Sequence, residues 1–227
     1  MSTNTEPTTT AAQAAPETVT QYVDRLLAWM DAQGDDTAAA EPAKPKQQVK
    51  PFNTDGVHPS VVEAYNTVKN WLRAINLKVP AFSLALTGRS GCGKTHLATN
   101  AAATLKAQGT SCGFFYYPEL LELYRADKAH TLHMLQGFKA LVLDDVGAEN
   151  ISGEYSRGFS AAALCEILEK RLGKWTLITT NLTTTEIAQV YNARVASRLI
   201  RNGGRTVDMF AAGDYSLTHQ QERRPNE

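Results

Sequence analysis

The most constraining feature of the sequence is a glycine-rich segment between an apolar run and a helical pattern. Residues 88–95, called the phosphate loop below, read Gly-Arg-Ser-Gly-Cys-Gly-Lys-Thr and match G-x-x-x-x-G-K-[ST] at every fixed position. The apolar run is 81–87, and the helical pattern continues from His96. Glycines let backbone N–H groups curl around phosphate oxygens, and the helix N-terminus adds partial positive charge. This strand–loop–helix unit predicts an α/β domain that binds a nucleoside triphosphate.

The last two residues of the loop supply the chemistry that a phosphate site needs. The Lys94 ammonium is expected to neutralise the β and γ phosphates, and the Thr95 hydroxyl to hold Mg²⁺. Both residues stand at the positions that the motif prescribes. The segment therefore predicts magnesium together with the triphosphate.

Two carboxylates close a second apolar run, 140–146, further along the chain. Ligands of an open parallel sheet bind at the carboxyl ends of its strands, so Asp144 and Asp145 are expected beside the phosphates. Asp144 would bind Mg²⁺ through water, and Asp145 would orient and polarise the attacking water. The alternative is a strand that ends in a solvated turn. The intact phosphate loop favours the metal and water roles.

A third strand-like run, 175–180, is followed directly by Asn181. Its amide is expected to donate to the γ-phosphate or to position the water, although asparagine also favours turns for local reasons. Arg194 and Arg198 stand four positions apart on a predicted helix and therefore share a face. They form either a solvated basic face or an arginine finger that enters the nucleotide site of a neighbouring subunit. The residues alone leave these two alternatives open.

Strand-like and helix-like segments alternate along the chain, which predicts a parallel sheet covered by helices on both faces. Capping-box patterns at Ser60 with Glu63 and at Thr183 with Glu186 predict two helix starts. The predicted strands are 81–87, 111–117, 140–145, 174–180 and 205–210. The predicted helices between them are 94–108, 118–136, 155–172 and 183–202.

The N-terminal region has a different composition from this α/β pattern. Residues 1–18 are predicted to be a disordered tail, and 34–51 a flexible linker. Between them, 19–33 predicts an amphipathic helix that either docks on a partner or folds back on its own domain, and the long polar linker favours the partner. The helix would contact its partner through Tyr22, Leu26, Leu27 and Met30. The globular domain is expected to span 52–216, with 217–227 as a second disordered tail.

Charge and cysteine content exclude several classes of protein. Lys and Arg total 23, as do Asp and Glu, so a strongly basic field over the whole domain is excluded, whereas local basic patches are not. Three widely spaced cysteines form no zinc pattern and favour a reducing cytoplasm over a disulfide framework. Neither a transmembrane run nor a signal-peptide core is present in the sequence. A cytoplasmic protein of bacterial, phage or plasmid origin is the expectation.

Five short blocks together carry a family resemblance over residues 52–216. In order they are Gly-Lys-Thr-His-Leu-Ala, Leu-Val-Leu-Asp-Asp-Val-Gly-Ala-Glu, Ile-Thr-Thr-Asn-Leu, Arg-Val-Ala-Ser-Arg-Leu and Gly-Asp-Tyr. Their order and spacing resemble the DnaC/DnaI-type helicase loaders and the related IstB-like transposition ATPases, which are AAA+ proteins of the initiator clade. The resemblance implies a P-loop core with a five-stranded parallel sheet in the order 5-1-4-3-2, and with a lid that is reduced or absent.

The resemblance also assigns roles to individual residues. Asp144 and Asp145 fall at the Walker B pair, Asn181 at sensor 1, and Arg198 at the arginine finger, with Arg194 as a second candidate. The implied cofactors are ATP and Mg²⁺. The implied nucleotide-binding residues are the Walker A residues Gly88, Arg89, Ser90, Gly91, Cys92, Gly93, Lys94 and Thr95, the adjacent His96, and the adenine-flanking Phe52 and Asn53.

The resemblance also implies a function. The chain would be an ATPase that is stimulated by DNA or by a partner and that loads a hexameric replicative helicase onto single-stranded DNA. Its subunits would form a homo-oligomer through nucleotide-bridged interfaces. Tyr124, Arg125 and Lys128 would line the DNA path, because aromatic rings stack on bases while cations follow phosphates. One alternative is an IstB-like regulator of transposition that coats duplex DNA. A second is a small-molecule kinase with the same phosphate loop, although the sequence shows no acceptor-binding lid for it.

Overall fold

The computed structural model describes residues 56–77, 79–149, 154–200 and 203–215, and for 154–156 it describes the backbone only. Helices and strands alternate through these residues. The helices are α1 (Pro59–Asn76), α2 (Lys94–Ala107), α3 (Tyr117–Ala126), α4 (Lys128–Gly137), α5 (Glu154–Lys170), α6 (Thr184–Val190) and α7 (Ala193–Ile200). The strands are β1 (Ser83–Thr87), β2 (Cys112–Tyr116), β3 (Ala140–Val146), β4 (Trp175–Thr180) and β5 (Arg205–Asp208). No helix among the described residues is both long and apolar enough to cross a membrane.

The five strands form one parallel sheet in the order β2-β3-β4-β1-β5. This is the predicted order 5-1-4-3-2 read from the opposite edge, so the predicted fold class is confirmed. The central strand β4 pairs with β1 on one side, Ala85 opposite Ile178, and with β3 on the other, Leu143 opposite Ile178. Consequently the carboxyl ends of β1, β3 and β4 lie next to one another at one edge of the sheet.

Apolar side chains cover both faces of the sheet, as the near-continuous apolar runs of the strands predict. Leu84 and Leu86 face the side covered by α1 and α2, where Trp71 is fully buried. Ala85 faces the other side, which α3 to α7 cover. Successive side chains of a strand point to opposite faces, so one strand contributes to both cores. The central strands are thereby held between two apolar layers.

Two helices that the sequence predicts as continuous are interrupted in the structure. The predicted helix 118–136 divides at Asp127, which is extended and accepts a hydrogen bond from the His130 N–H at 2.9 Å. The predicted helix 183–202 divides near Asn192, whose side-chain oxygen accepts from the Val195 N–H at 3.0 Å. Short polar side chains cap new helices in this way. The prediction of single helices was therefore wrong at both places.

The two predicted capping boxes have different outcomes. At Thr183 and Glu186 the reciprocal bonds are present, at 3.2 Å and 2.7 Å, so that start is confirmed. The start at Ser60 with Glu63 was wrong, because the preceding His58 is the N-cap and its ring nitrogen accepts from the Ser60 N–H at 3.2 Å. Pro59 occupies the first turn, where its missing N–H costs nothing.

A buried arginine joins the end of α4 to β4. Arg171 is 2% exposed and donates to the carbonyl oxygens of Leu135 at 3.0 Å, Phe138 at 2.6 Å and Trp175 at 2.7 Å. The last carbonyls of a helix lack partners within the helix, and a cation there also complements the helix dipole. Burial lowers the pKa of Arg171 to about 10, so the group stays charged at neutral pH.

Replacing Arg171 with methionine is expected to lower the free energy of unfolding by about 3 kcal/mol, because several buried carbonyls lose a charged donor. Chemical denaturation followed by circular dichroism measures the change. Lys170→Met, at the neighbouring exposed position, is the matched control and should change stability by less than about 0.5 kcal/mol. Equal stability of the two variants would contradict a structural role for the buried guanidinium.

Candidate active site

The phosphate loop connects β1 to α2 at the edge of the sheet where β3 and β4 also end. Gly93 is the N-cap of α2 with φ +98°, a conformation that favours glycine. At Gly88 a Cβ would lie 2.9 Å from the Cβ of Met209, which is packed there by the bond from the Met209 N–H to the Thr87 carbonyl at 2.7 Å. Arg89, Ser90 and Gly91 at the tip of the loop are exposed, whereas Cys92 is buried. The loop is thus held at its base by Met209, while the residues of its tip are exposed.

The Lys94 ammonium lies inside the loop and is 5% exposed. It donates to the carbonyl oxygens of Gly88 and Arg89, both at 2.8 Å, and to the Asn181 side-chain oxygen at 2.9 Å. These three oxygens are all uncharged, so they fix the position of the ammonium without neutralising it. A buried charge of this kind gains strongly from an anion.

The Asp144 carboxylate connects the loop to the two central strands. It is 5% exposed, and its Oδ1 accepts from the Thr95 hydroxyl at 3.1 Å and from the Thr179 hydroxyl at 2.6 Å. A hydroxyl and a carboxylate oxygen therefore converge at the position where the sequence predicts magnesium. Among the described residues no group of three or more His, Cys, Asp or Glu side chains could hold a metal alone. A site with only a few protein ligands suits Mg²⁺, which keeps several waters and takes other ligands from phosphates.

Asp145 has a left-handed backbone conformation, which glycine favours and few other residues adopt. Its φ is +62°, and the pairing of β3 with β4 is irregular between Leu143 and Val146. Its N–H donates to the Thr179 hydroxyl at 2.8 Å, and its carboxylate accepts from the Asn181 amide at 3.2 Å. Such a conformation costs of order 1–3 kcal/mol and persists only where the surroundings impose it. The structure thus joins Lys94, Asn181 and Asp145 in one hydrogen-bonded chain.

Thr179 is a site residue that the sequence reasoning missed. It holds the Asp144 carboxylate and the Asp145 backbone at the same time. Thr179 stands two positions before Asn181, and residues two apart in a strand share a face. That spacing was the available signal.

Negative charge gathers where β2 and β3 end. Tyr116 is paired with Asp144, and burial together with the charges of Asp145 and Glu119 raises the pKa of the Tyr116 hydroxyl. The hydroxyl is therefore protonated and able to donate at neutral pH. The same concentration of carboxylates favours a cation at this edge.

The structure does not place the predicted arginine finger at a free surface. The Arg198 side chain is 14% exposed, donates to the Cys165 sulfur at 2.7 Å and pairs with Glu169 at 3.3 Å. Its buried Nε has no hydrogen-bond partner among the described residues. Arg194, by contrast, is exposed beside a groove between α5 and α7. For its guanidinium to reach another molecule, the Arg198 side chain would first have to break its contacts with Cys165 and Glu169 on α5.

One predicted DNA-binding residue is corrected by the structure. Tyr124 is 6% exposed and donates to Glu166 at 2.6 Å, which leaves no open ring face for a base. Burial and Glu166 raise the pKa of Tyr124 to about 12. Lys128 pairs with the same Glu166 at 2.8 Å, and Arg125 pairs with Glu122 at 2.7 Å. Tyr124 is therefore a core residue, whereas the two cations remain more than half exposed.

Several other predicted residues do not join the site or cannot be placed. The His96 ring bonds to Asn100 of its own helix at 3.1 Å. The predicted adenine contacts Phe52 and Asn53, the helix 19–33 and both predicted tails lie outside the described residues. The Gly-Asp-Tyr block does reach the loop, because the Tyr215 N–H donates to the Gly91 carbonyl at 3.1 Å and the Asp214 carboxylate lies against Gly91.

Comparison with known proteins assigns both a family and a fold. Residues 63–201, more than half of the chain, match the family model described as IstB-like ATP binding protein. No curated protein sequence matches the chain. The resemblance inferred from the sequence blocks is thereby confirmed at the level of the family.

Solved structures of replication proteins have a similar fold. The chain resembles AMPPCP-bound DnaA from Aquifex aeolicus, with a TM-score of 0.61 and 21% identity over 79% of this chain and 55% of that one. It resembles the DnaC helicase loader, with a TM-score of 0.58 and 24% identity over 72% of this chain and 99% of that one. It also resembles replication initiator DnaA bound to AMPPCP and single-stranded DNA, with a TM-score of 0.57 and 22% identity over 72% of this chain and 50% of that one. The chain spans about half the length of the two DnaA structures.

Proposed function

The chain belongs to the IstB-like ATP-binding family, and from this premise we propose that it is an AAA+ ATPase that loads a ring-shaped replicative helicase onto single-stranded DNA. The observation that carries the loader assignment is the structural likeness to the DnaC helicase loader, which extends over 99% of that chain. The hydrogen-bonded chain of Lys94, Asn181 and Asp145 supports hydrolysis as the source of energy.

The residues of the site divide the chemistry of hydrolysis among them. Lys94 and the loop N–H groups would hold the β and γ phosphates, and Thr95 with Asp144 would hold the hydrated magnesium. Magnesium, when bound, neutralises charge that develops on the phosphate oxygens. Asp145 orients the attacking water, and Asn181 keeps that carboxylate in register with the Lys94 ammonium. The hydrogen bonds among these side chains support this division of roles.

The remaining positive charge is proposed to come from a neighbouring subunit. Arg198, once released from Cys165 and Glu169, or the already exposed Arg194, would approach the γ-phosphate of the adjacent protomer. A guanidinium supplied in this way is worth about 10³–10⁵ in kcat in other nucleotide hydrolases. Assembly and hydrolysis would then depend on each other.

Contact with single-stranded DNA is part of the same proposal. One structural neighbour is DnaA bound to AMPPCP and single-stranded DNA. Arg125 and Lys128 are more than half exposed on adjacent helices, and DNA phosphates would replace the glutamates with which they are paired. Residues 19–33 are proposed to bind the helicase. Deletion of residues 1–50 should therefore abolish capture of the helicase, whereas ATP hydrolysis should persist.

Co-purification with the hexameric replicative helicase of the source organism tests the loader assignment. The wild-type chain should retain the helicase in the presence of ATP, and Lys94→Ala should lose it, because assembly requires bound triphosphate. Lys106→Ala is the matched control, since Lys106 is exposed in the last turn of the same helix. Failure of the wild-type chain to retain the helicase under any nucleotide condition would refute helicase loading.

A second candidate function follows from the family match itself. IstB-like membership is equally compatible with a transposition ATPase that coats duplex DNA. Electron microscopy of the chain with ATP and duplex DNA separates the two functions. Long filaments would support the transposition regulator, and ATP-dependent capture of the helicase without filaments would support the loader.

A further inference from the structure

A buried carboxylate that the hydrolytic roles do not use lies behind the active site. Glu149 is 9% exposed and stands four positions after Asp145. Its Oε2 accepts from the Gly147 N–H at 2.9 Å. Its Oε1 accepts from the Ser160 hydroxyl at 2.6 Å and from the Tyr191 hydroxyl. One side chain thus joins the segment after β3 to α5 and to the end of α6.

On one side, Glu149 holds the turn that carries Asp145. The turn is closed by the bond from the Ala148 N–H to the Asp145 carbonyl at 3.1 Å, and Gly147 within it has φ +100°. Asp145 itself is held at φ +62°. Because the turn is strained at Asp145, its conformation depends on the bonds that hold it from outside. The Gly147 N–H bond to Glu149 is one of those bonds.

On the other side, Glu149 holds the junction that leads into α7. Tyr191 is 7% exposed and is the C-cap of α6, and the next residue, Asn192, caps the start of α7. Arg194 and Arg198 follow on α7. The hydroxyl of Tyr191 therefore connects the carboxylate to the helix that carries both candidate arginine fingers.

The three hydrogen bonds of Glu149 link separate segments of the chain, which an apolar side chain of similar size could not do. A carboxylate can accept from an N–H and two hydroxyls at once, whereas an apolar side chain would pack the same space without linking it. Burial and the charge of Glu149 raise the pKa of Tyr191, so the hydroxyl remains a donor. The linkage is therefore complete at neutral pH.

We propose that Glu149 is a positioning residue that couples α7 to the turn bearing Asp145. When an arginine of α7 moves toward the nucleotide of an adjacent subunit, Tyr191 and Glu149 transmit the displacement to Asp145 of the same chain. Hydrolysis in one subunit then responds to the engagement of its α7 with the next. This inference rests on the proposed function, because it requires hydrolysis at a subunit interface.

Two buried tyrosine hydroxyls in the same cluster provide a matched pair of variants. Tyr191→Phe removes the hydroxyl that bonds Glu149 from the junction before α7. Tyr117→Phe removes a fully buried hydroxyl that donates to the Ser160 carbonyl at 3.1 Å from the β2 side of the cluster. Both changes delete one buried hydrogen bond, so both should lower the melting temperature by similar amounts. Only Tyr191→Phe cuts the link to α7.

The measurement is the specific ATPase activity as protein concentration rises and subunits assemble. In the wild type and in Tyr117→Phe the activity should rise with concentration. In Tyr191→Phe the assembled rate should fall about 10-fold through kcat, with KM for ATP unchanged. Equal assembled rates in the two variants would overturn the coupling while leaving the proposed function intact. A wild-type rate independent of concentration would remove the subunit interface and the coupling together.

Discussion

Replacing Lys94 with alanine is expected to lower the rate of ATP hydrolysis by roughly 10²–10³-fold, the range found when one preorganised stabiliser of transition-state charge is removed. The expectation follows from the surroundings of the ammonium. Its partners are uncharged oxygens of Gly88, Arg89 and Asn181, held at 2.8–2.9 Å. The cation is thus positioned in advance and needs little reorganisation when the triphosphate binds. ATP binding should weaken as well, because the γ-phosphate loses its nearest cation.

Titration with a fluorescent ATP analogue and a phosphate-release assay measure the two effects of this substitution separately. Lys106→Ala, at the far end of α2, should leave both unchanged. Retention of more than one tenth of wild-type turnover would contradict the role of Lys94.

Replacing Asp145 with asparagine is expected to lower kcat by about 10²–10⁴-fold while ATP still binds, because a positioned group that handles the attacking water contributes that much. Asparagine is nearly isosteric and tolerates positive φ better than most residues, so the backbone at +62° should persist. The amide no longer polarises the water. The Asn181 amide would also face a second amide in place of a carboxylate oxygen.

Asp144→Asn is the informative comparison for Asp145→Asn. Asp144 accepts from the Thr95 and Thr179 hydroxyls and is proposed to hold hydrated magnesium. Its loss should therefore raise the magnesium concentration needed for half-maximal activity, and excess magnesium should restore part of the rate. Excess magnesium should not restore Asp145→Asn. If the two variants respond alike to magnesium, the division of roles between the carboxylates is wrong.

Residues whose function depends on local order were predictable from the sequence. The phosphate loop, the two carboxylates and Asn181 each follow an apolar run, and parallel strands bring such positions to one edge of the sheet. The strand order followed from the family resemblance, and the structure has the same order. The helix interruptions at Asp127 and Asn192 were harder to predict, because both residues can also sit on the surface of an unbroken helix.

Residues whose role depends on distant neighbours were not predictable from spacing. Tyr124 stands three and four positions after Leu121 and Leu120, a spacing that places it on the apolar face of its helix, but its bond to Glu166, 42 positions away, depends on how the helices pack. Arg198 stands in a block that implies an outward finger, but Cys165 and Glu169 hold it against α5. In both cases the partner lies on a different helix, and helical periodicity carries no information about which helix packs there.

The amino-acid sequence by itself determined that this chain is an α/β nucleotide-binding domain, because glycine placement, apolar runs and helical periodicity are local properties that few folds satisfy together. Only the tertiary structure decided that Thr179 holds the Asp144 carboxylate and the Asp145 backbone, that Asp145 has a positive φ, and that Glu149 bonds both the turn after Asp145 and Tyr191 before α7. Those features depend on hydrogen bonds between segments far apart in the chain. Such contacts exist only once the sheet has brought the segments together.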